Sequence, residues 1–245
     1  MSRTPTVLAT SGAFIPGVRR RFAPGPLVRY ALELSGAAQP KLATLGTALG
    51  DQAFTNAALH EAFYGTGVRV TCVNLLPMPN FADLRDHLLD QDVIWVNGGS
   101  VAGLLALWRL HGLDKIMREC WEAGIVLTGV SAGSICWHVG GTTDSYGPEL
   151  RPVTDGLGFL PYANGVHYDA EEQRRPLLHR LVADCTLPTA YATDNGVGLV
   201  YHGTELAEVV SDRDDAAGYQ ITAGPDGRAV ETRIEPRLLP DAPVV

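Results

Sequence analysis

The chain has 245 residues, 46% of them hydrophobic and 19% charged, enough to bury a sizeable core within one large domain spanning residues 1–245. With 27 acidic against 19 basic residues the formal net charge is −8, so no basic field meets a phosphate backbone, and the short Arg19–Phe22 cluster does not supply one. No apolar run approaches the ~18 residues of a membrane span, and "MSRTPTVLATSG" lacks the basic start and cleavage site of a secretory signal, so a cytoplasmic protein without nucleic-acid or membrane partners is expected.

In chain order, short β-branched or apolar runs alternate with longer stretches of helical period, the pattern of a parallel sheet with crossover helices. Strands are predicted at "TVLAT", "KLATLGTAL", "VRVTCVN", "VIWVNGG" and "IVLTGV". Between them, "PLVRYALELSG", "DQAFTNAALHEAFYG", "FADLRDHLLDQ" and the long "VAGLLALWRLHGLDKIMRECWEAG" have helical spacing, with Gly36, Gly65 and Gly124 as C-terminal stops. A helix "AGSICWHVG" is expected next, then a Gly-, Pro- and Thr-rich stretch from Gly140 to Gly165. "EEQRRPLLHRLVAD" reads as a helix with Pro176 near its start. After it, "YATDNGVGLVYHGTELAEVV", "AAGYQITAG" and "RAVETRIEP" read as antiparallel strands joined by tight turns. The expected fold class is α/β, a parallel-sheet layer sandwich with antiparallel C-terminal strands. Cys72, Cys120, Cys136 and Cys185 are scattered without metal-ligand spacing, so reduced, mostly buried thiols and no metal site are expected.

The stretch Gly129–Gly133, "GVSAG", follows a predicted strand and precedes a predicted helix. This is the G-x-S-x-G nucleophile elbow, in which small neighbours let the chain turn sharply and hold a serine hydroxyl at the sheet edge. The same residues also suit a plain helix cap at Ser131. If Ser131 is a nucleophile, the Ala132 amide can donate to a developing oxyanion. The Gly-rich turn at Gly98 and Gly99, closing the preceding strand, can supply further donors, with Ser100 as a cap or a substrate contact. His167, in the extended run "NGVHYD", is the candidate base. Asp144 in "GGTTDSYG" and Asp194 in "ATDNGVGLV" are the candidate acids that orient it, although each also suits a turn. His138, seven residues past Ser131 on the same predicted helix, is expected to be structural.

Taken together, "VNGGSVAGLLALWRLHGL", "GVSAGS", "TTD" and "NGVHY" resemble the peptidase E family, aspartyl dipeptidase-like serine peptidases that also include cyanophycinases. The resemblance implies a fold similar to class I glutamine amidotransferases, with serine replacing their cysteine and no metal or organic cofactor. It implies Ser131 as nucleophile, His167 as base, and either Asp144 or Asp194 as the acid, with Asp144 favoured slightly. Two departures bear on the substrate. Ser100 stands where the family often has Asn after G-G, and Glu171 stands where Asp-selective dipeptidases place an arginine. An acidic residue there repels an aspartate side chain, which argues against strict Asp-X dipeptidase specificity.

The leading expectation is a serine exopeptidase acting on short peptides. Carboxypeptidase-type trimming follows if Arg174 or Arg175 pairs with a C-terminal carboxylate; Glu171 or Glu172 would instead meet a free α-amine. The alternatives are an esterase of the α/β-hydrolase type or a non-catalytic small-molecule binding protein. The apolar "LLALWRL" and the antiparallel tail suggest a homodimer or higher homo-oligomer.

Overall fold

The computed structural model describes residues 4–241. The first strand, β1 (Thr6–Thr10), is buried along its whole length, which is why its sequence is a continuous apolar run and not an alternating one. A short hairpin follows, β2 (Phe14–Pro16) and β3 (Phe22–Pro24), in a Gly-, Pro- and Arg-rich stretch that carries no strand pattern. The chain then alternates through α1 (Pro26–Leu34), β4 (Lys41–Leu45), α2 (Ala53–Phe63), β5 (Arg69–Val73), α3 (Leu84–Leu89) and β6 (Val93–Val96). After β6 come α4 (Val101–His111), α5 (Leu113–Glu122) and β7 (Val126–Val130). Pro26 occupies the first turn of α1, where its missing N–H costs nothing.

The second half contains α6 (Ala132–Ile135), β8 (His138–Thr143), β9 (Arg151–Val153), β10 (Leu160–Gly165), α7 (Arg174–Ala183) and β11 (Ala190–Thr193). It closes with β12 (Val197–His202), β13 (Glu205–Ser211), β14 (Gly218–Ala223), β15 (Ala229–Ile234) and β16 (Arg237–Leu238). One sheet has eight strands in the order β16-β13-β12-β1-β7-β6-β4-β5. Strands β1, β7, β6, β4 and β5 are mutually parallel, and β12 and β13 continue antiparallel. A second sheet, β15-β14-β11-β10-β8-β9, is parallel only at β11-β10-β8. The α/β sandwich with antiparallel late strands is therefore as expected, and the second sheet is an addition to it.

Four local expectations are corrected. The strand predicted over 41–49 ends at Leu45 and turns into a 3-10 segment at Thr47–Leu49. The long helix over 101–124 breaks at Gly112, whose φ of 73° caps α4 in the left-handed region that glycine reaches without strain. The helix predicted over 132–140 ends at Ile135, and His138 opens β8. Helix α7 begins at Arg174 and not at Glu171, leaving Pro176 within the first turn, where it is tolerated. No described helix is long and apolar enough to cross a membrane.

Parallel strands deliver their C-terminal ends to one edge of the sheet. Thr10 is in register with Val130, and Val96 with Gly129, so the residues that follow β1, β6 and β7 emerge side by side.

Candidate active site

Ser131 leaves β7 with φ 57° and ψ −112°, a conformation that an L-residue holds only when its surroundings impose it. Its backbone is pinned on both sides: the Ser131 N–H donates to the Thr10 carbonyl (3.1 Å), and its own carbonyl accepts from Ser134 and Ile135 (2.8 and 2.9 Å). The hydroxyl makes no capping bond to α6, so the turn is held by backbone alone and the side chain is left for another use. The two flanking glycines are required by close approach. A Cβ on Gly129 would lie 2.5 Å from the Val96 carbonyl oxygen, and one on Gly133 would lie 2.2 Å from the same atom.

The turn after β6 meets this elbow. A Cβ on Gly98 would stand 3.2 Å from the Ser131 Cβ and 3.8 Å from its Oγ, so the backbone of Gly98 runs directly past the candidate nucleophile. Gly99 adopts φ 128° against the Ala48 carbonyl, where any Cβ would collide at 2.3 Å. Among the described residues, the amides of Gly98, Gly99 and Ala132 donate to no backbone acceptor. Ser100 is the N-cap of α4, its hydroxyl accepting from the Gly103 N–H at 3.1 Å.

His167 follows β10 and is another strained residue, with φ 52°. Its backbone N–H donates to the Ser11 hydroxyl (3.1 Å), one residue beyond the carbonyl that holds Ser131. A second tie joins the two segments: the Ser134 hydroxyl, in α6, donates to Asn164 Oδ1 in β10 at 2.8 Å. Both Ser131 and His167 are partly exposed on this edge. The imidazole Nδ1 lies 2.6 Å from Asn195 Oδ1. That oxygen can only accept, so the contact suits the tautomer with its hydrogen on Nδ1, which leaves Nε2 as the acceptor. Among the described residues no group of three or more His, Cys, Asp or Glu side chains is arranged to hold a metal ion.

The sequence profile described as peptidase family S51 matches residues 22–209, most of the chain. The chain belongs to peptidase family S51. A relative from Bacillus subtilis (strain 168), named "Uncharacterized peptidase YgaJ", is 38% identical over 195 residues, which cover 80% of this chain and 84% of the relative. A "Peptidase E" of Shewanella amazonensis (strain ATCC BAA-1098 / SB2B) is 29% identical over 149 residues, 57% of this chain and 63% of the relative. Among solved structures, a peptidase from an acI-B1 Actinobacterium superposes with a TM-score of 0.69 at 16% identity, covering 96% of each chain, so the fold is shared. The chain is thus a peptidase by family.

In this S51 peptidase the side chain bonded to His167 is neither of the two expected acids. Asp194 is buried and bonded elsewhere: its Oδ2 accepts from the Ala217 N–H (3.0 Å) and the Tyr219 hydroxyl (3.1 Å), its Oδ1 has no hydrogen-bond partner, and burial raises its carboxyl above the usual range. Asp144 is exposed on the loop after β8, whose Ser145 hydroxyl accepts from the Ala102 N–H at the start of α4 (3.3 Å). Neither carboxylate hydrogen-bonds to the imidazole; the neighbour of Asp194, Asn195, does. Read from the sequence, Asn195 looks like the second residue of an Asp-Asn-Gly turn, which hides it; its polar side chain one residue from Asp194 was the available signal.

The substrate-binding expectations also change. The Arg174 side chain is 2% exposed and donates to Glu171 Oε2 (2.7 Å) and to the Thr142 carbonyl, joining α7 to β8. Glu171, just before α7, is thereby engaged with Arg174. Arg175 stacks over Tyr168 and Tyr219 and pairs with Glu231 at 3.0 Å. The Arg174 guanidinium serves packing, because a buried cation is tolerated only when paired and hydrogen-bonded, whereas Arg175 is partly exposed and is held by its ring and carboxylate contacts.

Proposed function

We propose that this family member is a serine exopeptidase that hydrolyses short peptides through an acyl-enzyme on Ser131. The observation that carries the reading is that two strained residues, Ser131 and His167, are both tied through their backbone N–H groups to neighbouring residues of one segment, Thr10 and Ser11. Strain of this kind is retained where it serves a site. Ser131 Oγ attacks the scissile carbonyl carbon, and its proton passes to His167 Nε2. The oxyanion is met by the amides of Gly98, Gly99 and Ala132. The C–N bond then breaks as the imidazolium returns the proton to the leaving amine, and water repeats the sequence against the acyl ester.

Charge at the lip supports trimming from the amino end. Arg174 pairs with Glu171 and Arg175 with Glu231, so the two arginines that open α7 are engaged away from a C-terminal carboxylate. Asp144 is exposed beside the first turn of α4, with no side-chain partner among the described residues, and suits a substrate α-ammonium. A fluorophosphonate probe, followed by peptide mapping, tests the nucleophile. Modification confined to Ser131 and absent from Ser131→Ala is the expected result; modification elsewhere, or none in folded wild-type protein, overturns it.

A further inference from the structure

The group that touches the imidazole carries no charge. We infer that Asn195 is a positioning residue that holds His167 through Nδ1–H without a carboxylate, so that the site orients its base but does not charge-stabilise the imidazolium. The inference rests on the serine-peptidase reading given above.

Three observations carry it. The His167 Nδ1 to Asn195 Oδ1 distance of 2.6 Å is a short hydrogen-bond contact. Asn195 is itself clamped at both ends of its backbone: its N–H donates to Asp169 Oδ1 (2.8 Å) and its carbonyl accepts from the Arg213 guanidinium (3.2 Å). Asp169 and Arg213 pair with each other at 3.0 Å, and Asp169 lies two residues past His167 in the chain. The ring His167, Asn195, Asp169 is therefore closed, fixing the base turn and the asparagine turn as one unit.

Among the described residues no carboxylate hydrogen-bonds to the imidazole, although Asp194 Oδ1 is buried without a partner. Asp169 serves the Asn195 N–H and Arg213, while Asp194 faces Ala217 and Tyr219. Asp215 pairs with Arg213, and the side chain of Asp212 packs where a Gly196 Cβ would sit. A carboxylate in place of Asn195 would add an opposite charge in direct contact with the imidazolium, which favours the protonated ring by roughly 1–3 pH units. The amide gives the same alignment and none of that attraction.

The test is the pH dependence of fluorophosphonate capture, in which a Ser131 Oγ–P bond forms, the P–F bond breaks with loss of fluoride, and the hydroxyl proton goes to His167. Wild type, Asn195→Ala and Asn195→Asp are compared, and the His167 ring resonances, assigned with His167→Gln, are followed over the same range by NMR. Asn195→Ala should lower the high-pH rate by about 10- to 100-fold with little change of midpoint. Asn195→Asp should keep that rate within about tenfold, while the midpoints of capture and of the ring resonance both move up by about one unit or more. Unchanged midpoints in Asn195→Asp, or a wild-type rate in Asn195→Ala, would overturn the inference. If folded wild-type protein captures no probe, the serine-peptidase reading fails on its own, and the ring titration of Asn195→Asp still decides whether Asn195 contacts His167.

Discussion

Replacing Gly133 by alanine probes how tightly the elbow is built. The added Cβ would meet Val96 O at 2.2 Å, Val96 C at 2.7 Å and Val96 Cβ at 2.8 Å. All three atoms belong to β6, which is hydrogen-bonded to neighbours on both sides and cannot retreat. An ordinary C···O contact needs about 1 Å more than this, so α6 must shift by about that amount, at a typical overpacking cost of about 1–3 kcal/mol. Because the Ser131 carbonyl accepts from Ser134 and Ile135, the shift is passed to the nucleophile. A displacement of about 1 Å at a reacting group costs on the order of 100-fold in rate. Urea unfolding should therefore show a midpoint lowered by roughly 1 M, and fluorophosphonate capture should slow by about two orders of magnitude. Gly46→Ala is the control: its φ is −94° and the nearest atom to its Cβ lies at 3.5 Å, an ordinary contact. A Gly133→Ala protein with wild-type stability, capturing probe within about threefold of wild type, would refute the packing argument.

Three further outcomes are expected. Burial holds the His138 imidazole down at about 4, against its Ser134 contact, so the unfolded chain takes up the proton first as pH falls; stability present above pH ~6.5 should decline by about 3 kcal/mol towards pH 4. Urea titrations of wild type and His138→Gln over that window test this, and equal slopes would contradict it. Arg174→Met should destabilise by about 3 kcal/mol, through loss of its Glu171 and Thr142 contacts, without altering which peptide end is trimmed; a change of end preference at unchanged stability would return Arg174 to substrate binding. Asp144→Asn should raise KM for free-amine peptides about tenfold while leaving fluorophosphonate capture unaffected, and an unchanged KM would remove Asp144 from substrate recognition.

The parallel half of the fold is legible because β1, β6 and β7 are buried on both faces and so appear as short β-branched or apolar runs without polar alternation. The same uniform burial defeats periodicity just past the elbow. Ile135, Cys136, Trp137 and His138 are all buried, whichever element holds them, so a helix of four residues followed by a strand looks like one longer helix. Around Asp194 the difficulty is parity. At the end of β11, successive side chains point to different partners: Thr193 to Ser11, Asp194 to Tyr219, Asn195 to His167. Which of two adjacent polar residues faces the site depends on a one-residue register that composition does not specify. Arg174 is hard to place for a related reason, since a charged residue at a helix start looks solvent-facing until the strand that covers it is known.

The central claim is most directly tested by incubating a mixed library of short peptides with wild-type protein and with Ser131→Ala, and identifying the products by mass spectrometry. The account predicts loss of amino-terminal residues from unblocked peptides with wild type, none from amino-acetylated peptides, and no cleavage by Ser131→Ala. Undiminished cleavage by folded Ser131→Ala, or no cleavage of any peptide by folded wild-type protein, would contradict it.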